Sequence, residues 1–311
     1  MLHPASETDF GEEDLLRLNL ESAALWPGFA AELEEVTGMA TGYRADGSLV
    51  VAVDRDDAEE LQRVHRLQRS LGLESEWLVP SAARRLEPGL APRIAGAIDV
   101  PGEAQVDPVA VVAALARAYE DAGGELRIAG VTSLRLQGGR VTGVETDTGP
   151  IEAGAVVLAA GPWSPQIDGV PPIAMRPVKG QLLHLRTRPG AAPLAARTVY
   201  TPRVYIVPRA DGRVVIGATV EEKGFDTTVD AGAVHRLLEA AWEVLPDVWE
   251  LEFVRALAGL RPGTQDNRPL IGPAPIDGLI YATGHYRNGI LLAPVTAQRV
   301  TEALTGDPVT T

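Results

Sequence analysis

The spacing of apolar positions changes character several times along the chain, and each change predicts an element. From Leu15 the apolar residues fall at Leu15, Leu18, Leu25, Phe29, Leu33 and Val36, with a gap at Ser22. That is one face of a helix, which Pro27 should kink and Gly38 should stop. The run YRADGSLVVAV alternates around Asp46-Gly47, which predicts a hairpin with a type I′ turn. A charged helix follows, capped by Asp56 or Asp57 and ended by Gly72. Asp107 and Pro108 then open a helix with a Val109, Val112, Ala116, Tyr119 stripe, closed by Gly123-Gly124.

After Gly124 the period becomes two. Leu126 and Ile128 begin a strand, and residues 131–148 read as a meander with turns at Gly138-Gly139 and at 147–149. The continuous apolar run 155–161, ended by Gly161, suits a strand buried on both faces in a parallel sheet. Pro171-Pro172 marks a boundary. Beyond it, strands at 180–186, 204–208 and 213–219 pair antiparallel, the last two through Asp211-Gly212. A helix with Val234, Leu237, Leu238, Ala241, Trp242 and Leu245 on one side precedes a strand at 251–255. The C-terminal part returns to a strand at 279–284, a polar loop and a helix at 290–304, with Pro294 tolerated in its first turn. The order is α/β, antiparallel, then α/β again, as in a nucleotide-binding sheet interrupted by a second domain.

Composition narrows the chemistry. Forty-two acidic against 28 basic residues give a formal charge of −14, so a basic footprint for nucleic acid is missing and an anionic membrane surface would repel the chain. No apolar run approaches a membrane span and the start, MLHPASETDFGEED, is acidic, so the expected location is the cytoplasm. The absence of cysteine removes disulfides, thiolate metal sites, thiol nucleophiles and any cofactor tethered through sulfur. His3, His65, His184, His235 and His285 are scattered, so no metal site is expected. Ser164 does not fit GxSxG, and Glu34-Glu35 and Glu221-Glu222 read as solvated faces.

Three places could carry chemistry. TGHYRNGILLAP, 283–294, is a buried strand delivering a Gly-flanked loop to a helix start, where free N–H groups and the helix dipole favour an electron-rich group and His285 and Arg287 add donors. The same residues also suit an ordinary strand-to-helix loop with a solvated Arg. Arg261, held extended before Pro262, could grip a carboxylate bidentately or be a surface turn cation. The Tyr205 hydroxyl could help bind a carboxylate, or Tyr205 could be a core aromatic.

Taken together, GHYRNGILLAP at 284–294, GLRPGT at 259–264, YIVPRADGRVVIGAT at 205–219, RPVKGQ at 176–181 and VVLAAGPWS at 156–164 resemble the FAD-dependent D-amino acid oxidase superfamily, within it the glycine oxidase branch of thiamine biosynthesis. The resemblance implies a fold of α/β plus α+β class: a Rossmann-like FAD-binding domain (1–38, 101–170, 262–311) interleaved with an antiparallel-sheet substrate domain (39–100, 171–261). It also implies site residues. Arg261 pairs with the substrate carboxylate, helped by Tyr205; Arg287 lies beside substrate and flavin; Val220 walls the pocket and Tyr200 stands at its entrance. The loop of His285, Tyr286, Arg287, Asn288, Gly289, Ile290 and Leu291 presents backbone N–H groups to the flavin. Val131 receives the adenine, and Ala160 and Gly161 approach the cofactor.

One departure is large. The family begins with a βαβ unit carrying GxGxxG, and this sequence has no such motif; Met1-Leu2 match the Gly-Met-Leu that follows it, where they touch the flavin. The expected front unit is therefore missing, through either an internal start or a truncation. The implied reaction is oxidation of glycine or another small amine by hydride transfer to noncovalent FAD, giving imine, glyoxylate, ammonia and hydrogen peroxide. The partners are a small amino acid and oxygen, and relatives are often homo-oligomers. Sarcosine oxidase-like or D-amino acid dehydrogenase-like activity, and a non-catalytic fragment unable to hold FAD, are the alternatives.

Overall fold

The computed structural model describes residues 1–306. Helix α1 (Glu13–Thr37) runs through Pro27 and ends at Gly38, whose N–H returns to Glu34 O. β1 (Ser48–Ala52), α2 (Arg55–Ser70), β2 (Glu76–Leu78), α3 (Pro80–Leu86) and β3 (Gly96–Val100) follow. α4 (Pro108–Asp121) starts as its sequence predicts, with Asp107 Oδ1 accepting from Val109 N at 3.0 Å. β4 (Val131–Gln137), β5 (Arg140–Thr146) and β6 (Gly149–Glu152) form the expected meander, and β7 (Val156–Leu158) ends before Gly161. Then come β8 (Met175–Arg186), β9 (Thr198–Tyr200), β10 (Tyr205–Pro208), β11 (Arg213–Gly217), α5 (Ala231–Val244), β12 (Glu252–Thr264), β13 (Leu270–Pro273), β14 (Leu279–Thr283) and α6 (Ala293–Thr305).

Segments far apart in sequence build one eight-stranded sheet, β12-β8-β11-β10-β9-β1-β3-β2, largely antiparallel. With a side-chain period of two, Leu183, Leu185, Val214, Ile216 and Ile206 point to one face, where Leu237, Ala241 and Val244 of α5 cover them. Each such buried aliphatic contributes roughly 1.5–3 kcal/mol by area removed from water. The opposite face of β8, β10, β11 and β12 is left for the site. A smaller sheet, β13-β14-β7, pairs β14 and β7 in parallel, and α1, α4 and the 285–291 loop share a core around Trp26.

Five expectations are corrected. Helix α4 buries Val111 and Ala114, while Val109, Val112 and Tyr119 of the expected stripe are exposed, because the Trp26 core meets the helix on its other side. There is no hairpin at Asp46-Gly47: Arg44 pairs with Gln105 and Gly47 N bonds Glu103 O at 2.9 Å, so long-range pairing replaces the local turn. The charged helix is capped by Asp54, whose carboxylate accepts from Asp57 N at 2.9 Å. Leu126 and Ile128 form no strand, and Ile128 is fully exposed, because nothing among the described residues pairs with them. β7 is not covered on both faces, since Val157 is 38% exposed.

Candidate active site

Two glycines open the polar end of the free sheet face. A Cβ on Gly180 would lie 2.3 Å from Arg261 Nη1, and one on Gly217 would lie 2.3 Å from Tyr205 Cζ. The guanidinium and the phenol therefore sit directly over backbone that only glycine leaves bare. Arg261 Nη1 donates to Thr219 O at 3.1 Å, its single hydrogen bond among the described residues, so the other guanidinium N–H groups are free for a ligand. Tyr205 stacks on Tyr200 with centroids 6.3 Å apart, and burial raises both phenols, keeping them protonated donors.

β14 delivers the opposite wall. Thr283 Oγ1 reaches Ser164 Oγ at 3.1 Å and Gly161 O at 3.3 Å, which holds the C-terminal ends of the parallel strands β7 and β14 together, the place where α/β sheets bind ligands. Gly284 turns with φ 78°, and a Cβ there would meet Thr264 Cγ2 at 2.8 Å, so this corner needs glycine. His285 Nε2 lies 2.9 Å from Thr296 Oγ1, and burial lowers the imidazole to about 4, so the ring is neutral. Tyr286 adopts φ 49°, rare for a side chain of its size, and the Arg287 guanidinium lies 5.4 Å from its ring centre.

The loop is anchored from below. Leu291 O accepts from Ser22 Oγ at 2.7 Å and from Trp26 Nε1 at 2.8 Å, both on α1. Among the described residues the amides of Gly289, Ile290 and Leu291 donate no hydrogen bond, although Leu291 is only 3% exposed. Unpaired N–H groups just before α6, beside a cavity, suit the electron-rich edge of a ring such as a flavin. The ring end of FAD therefore fits the residues present; the glycine-rich turn for its phosphates has no counterpart in the sequence.

Met1, Tyr200, Tyr205, Val220, Arg261 and Arg287 converge on a cavity of about 170 Å³. An adjoining cavity of about 330 Å³ shares Met1, Tyr205 and Arg287 and adds Asn288, Ile290 and Leu291. Other expected residues lie elsewhere. Leu2 is buried and its N–H bonds Ala104 O at 2.9 Å, while Val131 opens β4 and is 41% exposed. Ala160 and Gly161 stand at the end of β7, and no atom lies within 4 Å of a Cβ built on Gly161, so a ligand can approach its backbone.

Sequence reasoning gave no role to three groups, Glu7, Arg203 and Glu103, and misread two acidic pairs. Glu7 and Arg203 line the smaller cavity. Arg203 pairs with Glu243 at 2.8 Å. Glu103, 1% exposed, accepts from Ala5 N at 3.1 Å, Ser6 N at 2.7 Å and the hydroxyls of Ser6 and Ser48; burial still raises its carboxyl to about 7. It clamps residues 1–7 against β1, beside a buried His3 whose imidazole burial pushes well down. The acidic pairs are not simply solvated: Glu34 Oε1 accepts from Thr41 N at 2.7 Å. Glu221 bonds Thr219, Gln181 and Lys223, and despite partial burial these hold its carboxyl down to about 2. Nothing in the spacing distinguishes such carboxylates from surface ones.

Known proteins share this sequence pattern and fold. The family model described as FAD dependent oxidoreductase, DAO, matches residues 1–303. A glycine oxidase of Geobacillus kaustophilus is 37% identical over 295 residues, 93% of this chain and 77% of the relative. The bifunctional protein ThiO/ThiG of Trichormus variabilis is 34% identical over 97% of this chain, which spans only 46% of that longer protein. The crystal structure of glycine oxidase from Geobacillus kaustophilus superposes with a TM-score of 0.92 at 36% identity, covering 99% of this chain and 84% of the other. Iminodiacetate oxidase from Chelativorans sp. BNC1 gives 0.87 at 30% identity, over 99% and 84%. With matched family, shared fold and a site built at the ends of β7 and β14, the chain belongs to the DAO family of FAD-dependent oxidoreductases.

Proposed function

We propose that the protein binds FAD noncovalently and oxidises glycine, or an amino acid equally small, to an imine that hydrolyses to glyoxylate and ammonia, for thiamine thiazole synthesis. The observation that carries this reading is the convergence of Arg261 and Tyr205 on a cavity of about 170 Å³ whose wall includes Arg287 of the 285–291 loop. A cavity of that size with a guanidinium and a phenol at one end suits a small carboxylate. The name of the Geobacillus kaustophilus relative, glycine oxidase, favours glycine over the sarcosine and D-amino acid alternatives.

FAD, when bound, supplies the electron acceptor and the return of electrons to oxygen as hydrogen peroxide. The amides of 289–291 and Met1 hold the ring, Leu2 seats Met1 through its bond to Ala104, and Val131, Ala160 and Gly161 take the adenine and phosphate side. Arg261 and Tyr205 fix the substrate carboxylate, and Val220 and the stacked Tyr200 limit its size. Alignment of the substrate, rather than a side-chain base, is the protein's contribution.

The chain divides into an FAD-binding domain (1–38, 101–170, 262–311) and a substrate domain (39–100, 171–261), a division supported by β1–β3 sharing a sheet with β8–β12; residues 307–311 of the first lie outside those described. No described helix is long and apolar enough to cross a membrane, and a cytoplasmic homo-oligomer acting on a small amino acid and oxygen, without nucleic acid or membrane, completes the proposal. Arg261→Ala should raise the KM for glycine far more than the Kd for FAD; an unchanged KM in a folded, flavin-loaded variant contradicts the assignment.

A further inference from the structure

Glu7 sits in the turn between the Leu2 bridge and α1, its N–H bonded to His3 O at 3.3 Å, and it lines both cavities. Its Oε2 is sealed from water and has no hydrogen-bond partner among the described residues. A carboxylate oxygen left in that state is costly, and it is the kind of group a ligand completes. The charged and titratable groups facing it are Arg287, Arg261, Glu12, Glu103, Tyr200, Tyr205 and the Met1 amino group. Burial raises the Glu7 carboxyl, and Arg287 and Arg261 pull it back toward ionisation.

Among the described residues lining the smaller cavity, Glu7 is the one carboxylate, set against Arg203, Arg261 and Arg287. The tyrosines there stay neutral because burial raises them. An α-amino acid brings both charges within a few bonds of each other, and Arg261 answers only the negative one. We propose that Glu7 receives the ammonium group of the substrate and thereby makes the site select α-amino acids over hydroxy acids and plain carboxylates of the same size. This rests on the reading of the cavity as a small amino acid site. Glycolate has the same carboxylate and nearly the same volume as glycine, but offers Glu7 no positive charge. Glu7 is in this account a specificity residue, acting on binding and orientation of the amine rather than on the carboxylate.

The test compares glycine with glycolate on the FAD-loaded protein, by the glycine dependence of the anaerobic flavin-reduction rate for the Kd of glycine, by flavin absorbance titration for the Kd of glycolate, and by steady-state KM for glycine. In the parent protein glycine binds about tenfold or more tighter than glycolate, as expected when one charge-assisted hydrogen bond separates them. Glu7→Gln raises the Kd and KM for glycine by about tenfold or more and leaves glycolate unchanged or tighter, since a repelling charge has gone. Equal affinity for the two ligands in the parent overturns the proposal without any variant. So does a folded Glu7→Gln protein in which glycine and glycolate weaken together, or in which glycine is unaffected. A parent protein that holds FAD yet binds neither ligand overturns the reading of the cavity itself, which is a different result from either.

Discussion

Replacing Gly180 by Ala puts a methyl group where the Arg261 guanidinium now lies. The new Cβ would be 2.3 Å from Nη1, 2.4 Å from Nη2 and 2.5 Å from Cζ, whereas ordinary contact begins at 3.4 Å. The group must therefore retreat by about 1 Å, a displacement that by itself can lower an enzyme's efficiency about a hundredfold. The moving atoms are the end of a flexible side chain that holds one bond, to Thr219 O. The sheet can stay in place, and Ala in a strand is about 0.5–1 kcal/mol better than Gly, so stability should change little. What is lost is the grip on the carboxylate, worth roughly 1.5–3 kcal/mol for a charge-assisted hydrogen bond, or about 10- to 100-fold in KM. Peroxide release against glycine concentration measures KM, flavin fluorescence measures FAD binding, and a thermal melt checks the fold. A folded, flavin-loaded Gly180→Ala protein with the parent KM would refute the placement of Arg261 as carboxylate anchor.

Two further predictions follow from the same packing. Trp26→Phe deletes the indole donor to Leu291 O and leaves Ser22 Oγ as the one donor from α1 to that carbonyl, which should weaken FAD binding by about tenfold with KM for glycine barely moved; unchanged FAD affinity contradicts the anchoring role. Glu103 has a folded value of about 7 against 4.5 unfolded, so as pH rises between them the unfolded chain loses its proton first and stability falls, by up to about 3 kcal/mol. His3, pushed below 6.5, acts in the opposite sense: its contribution to stability is lost as pH falls. Urea melts at pH 5 and pH 8 should show Glu103→Gln losing less stability over that interval than the parent, and parallel behaviour would contradict the burial of an ionisable carboxyl there.

Elements with local punctuation were legible in the sequence. Asp107-Pro108 and Gly38 carry their own stop and start chemistry, and the structure keeps α4 and the end of α1 at those residues. Elements decided by remote partners were not: Asp46-Gly47 has turn composition, yet Glu103 and Gln105 claim the backbone on either side of it. The same distinction runs through the site. Arg261, Tyr205 and the loop after Gly284 lie in motifs whose spacing is distinctive, and the fold brings Tyr205, Arg261 and Arg287 to one cavity. Glu7 and Glu103 belong to no motif that the sequence sets out, and only their burial beside Ser6, Ser48 and the arginines sets them apart. Gly180 and Gly217 belong to the same class. Each looks like a weak strand residue until the side chain lying across it is seen.

The most direct measurement of the central claim is stoichiometric. The 311-residue protein, mixed with FAD and freed of unbound flavin, is given glycine in air while glyoxylate and hydrogen peroxide are followed together. Noncovalent retention of yellow flavin, released on denaturation, with glyoxylate and peroxide formed in equal amounts is the predicted result. Flavin that stays bound while glycine yields neither product would contradict it.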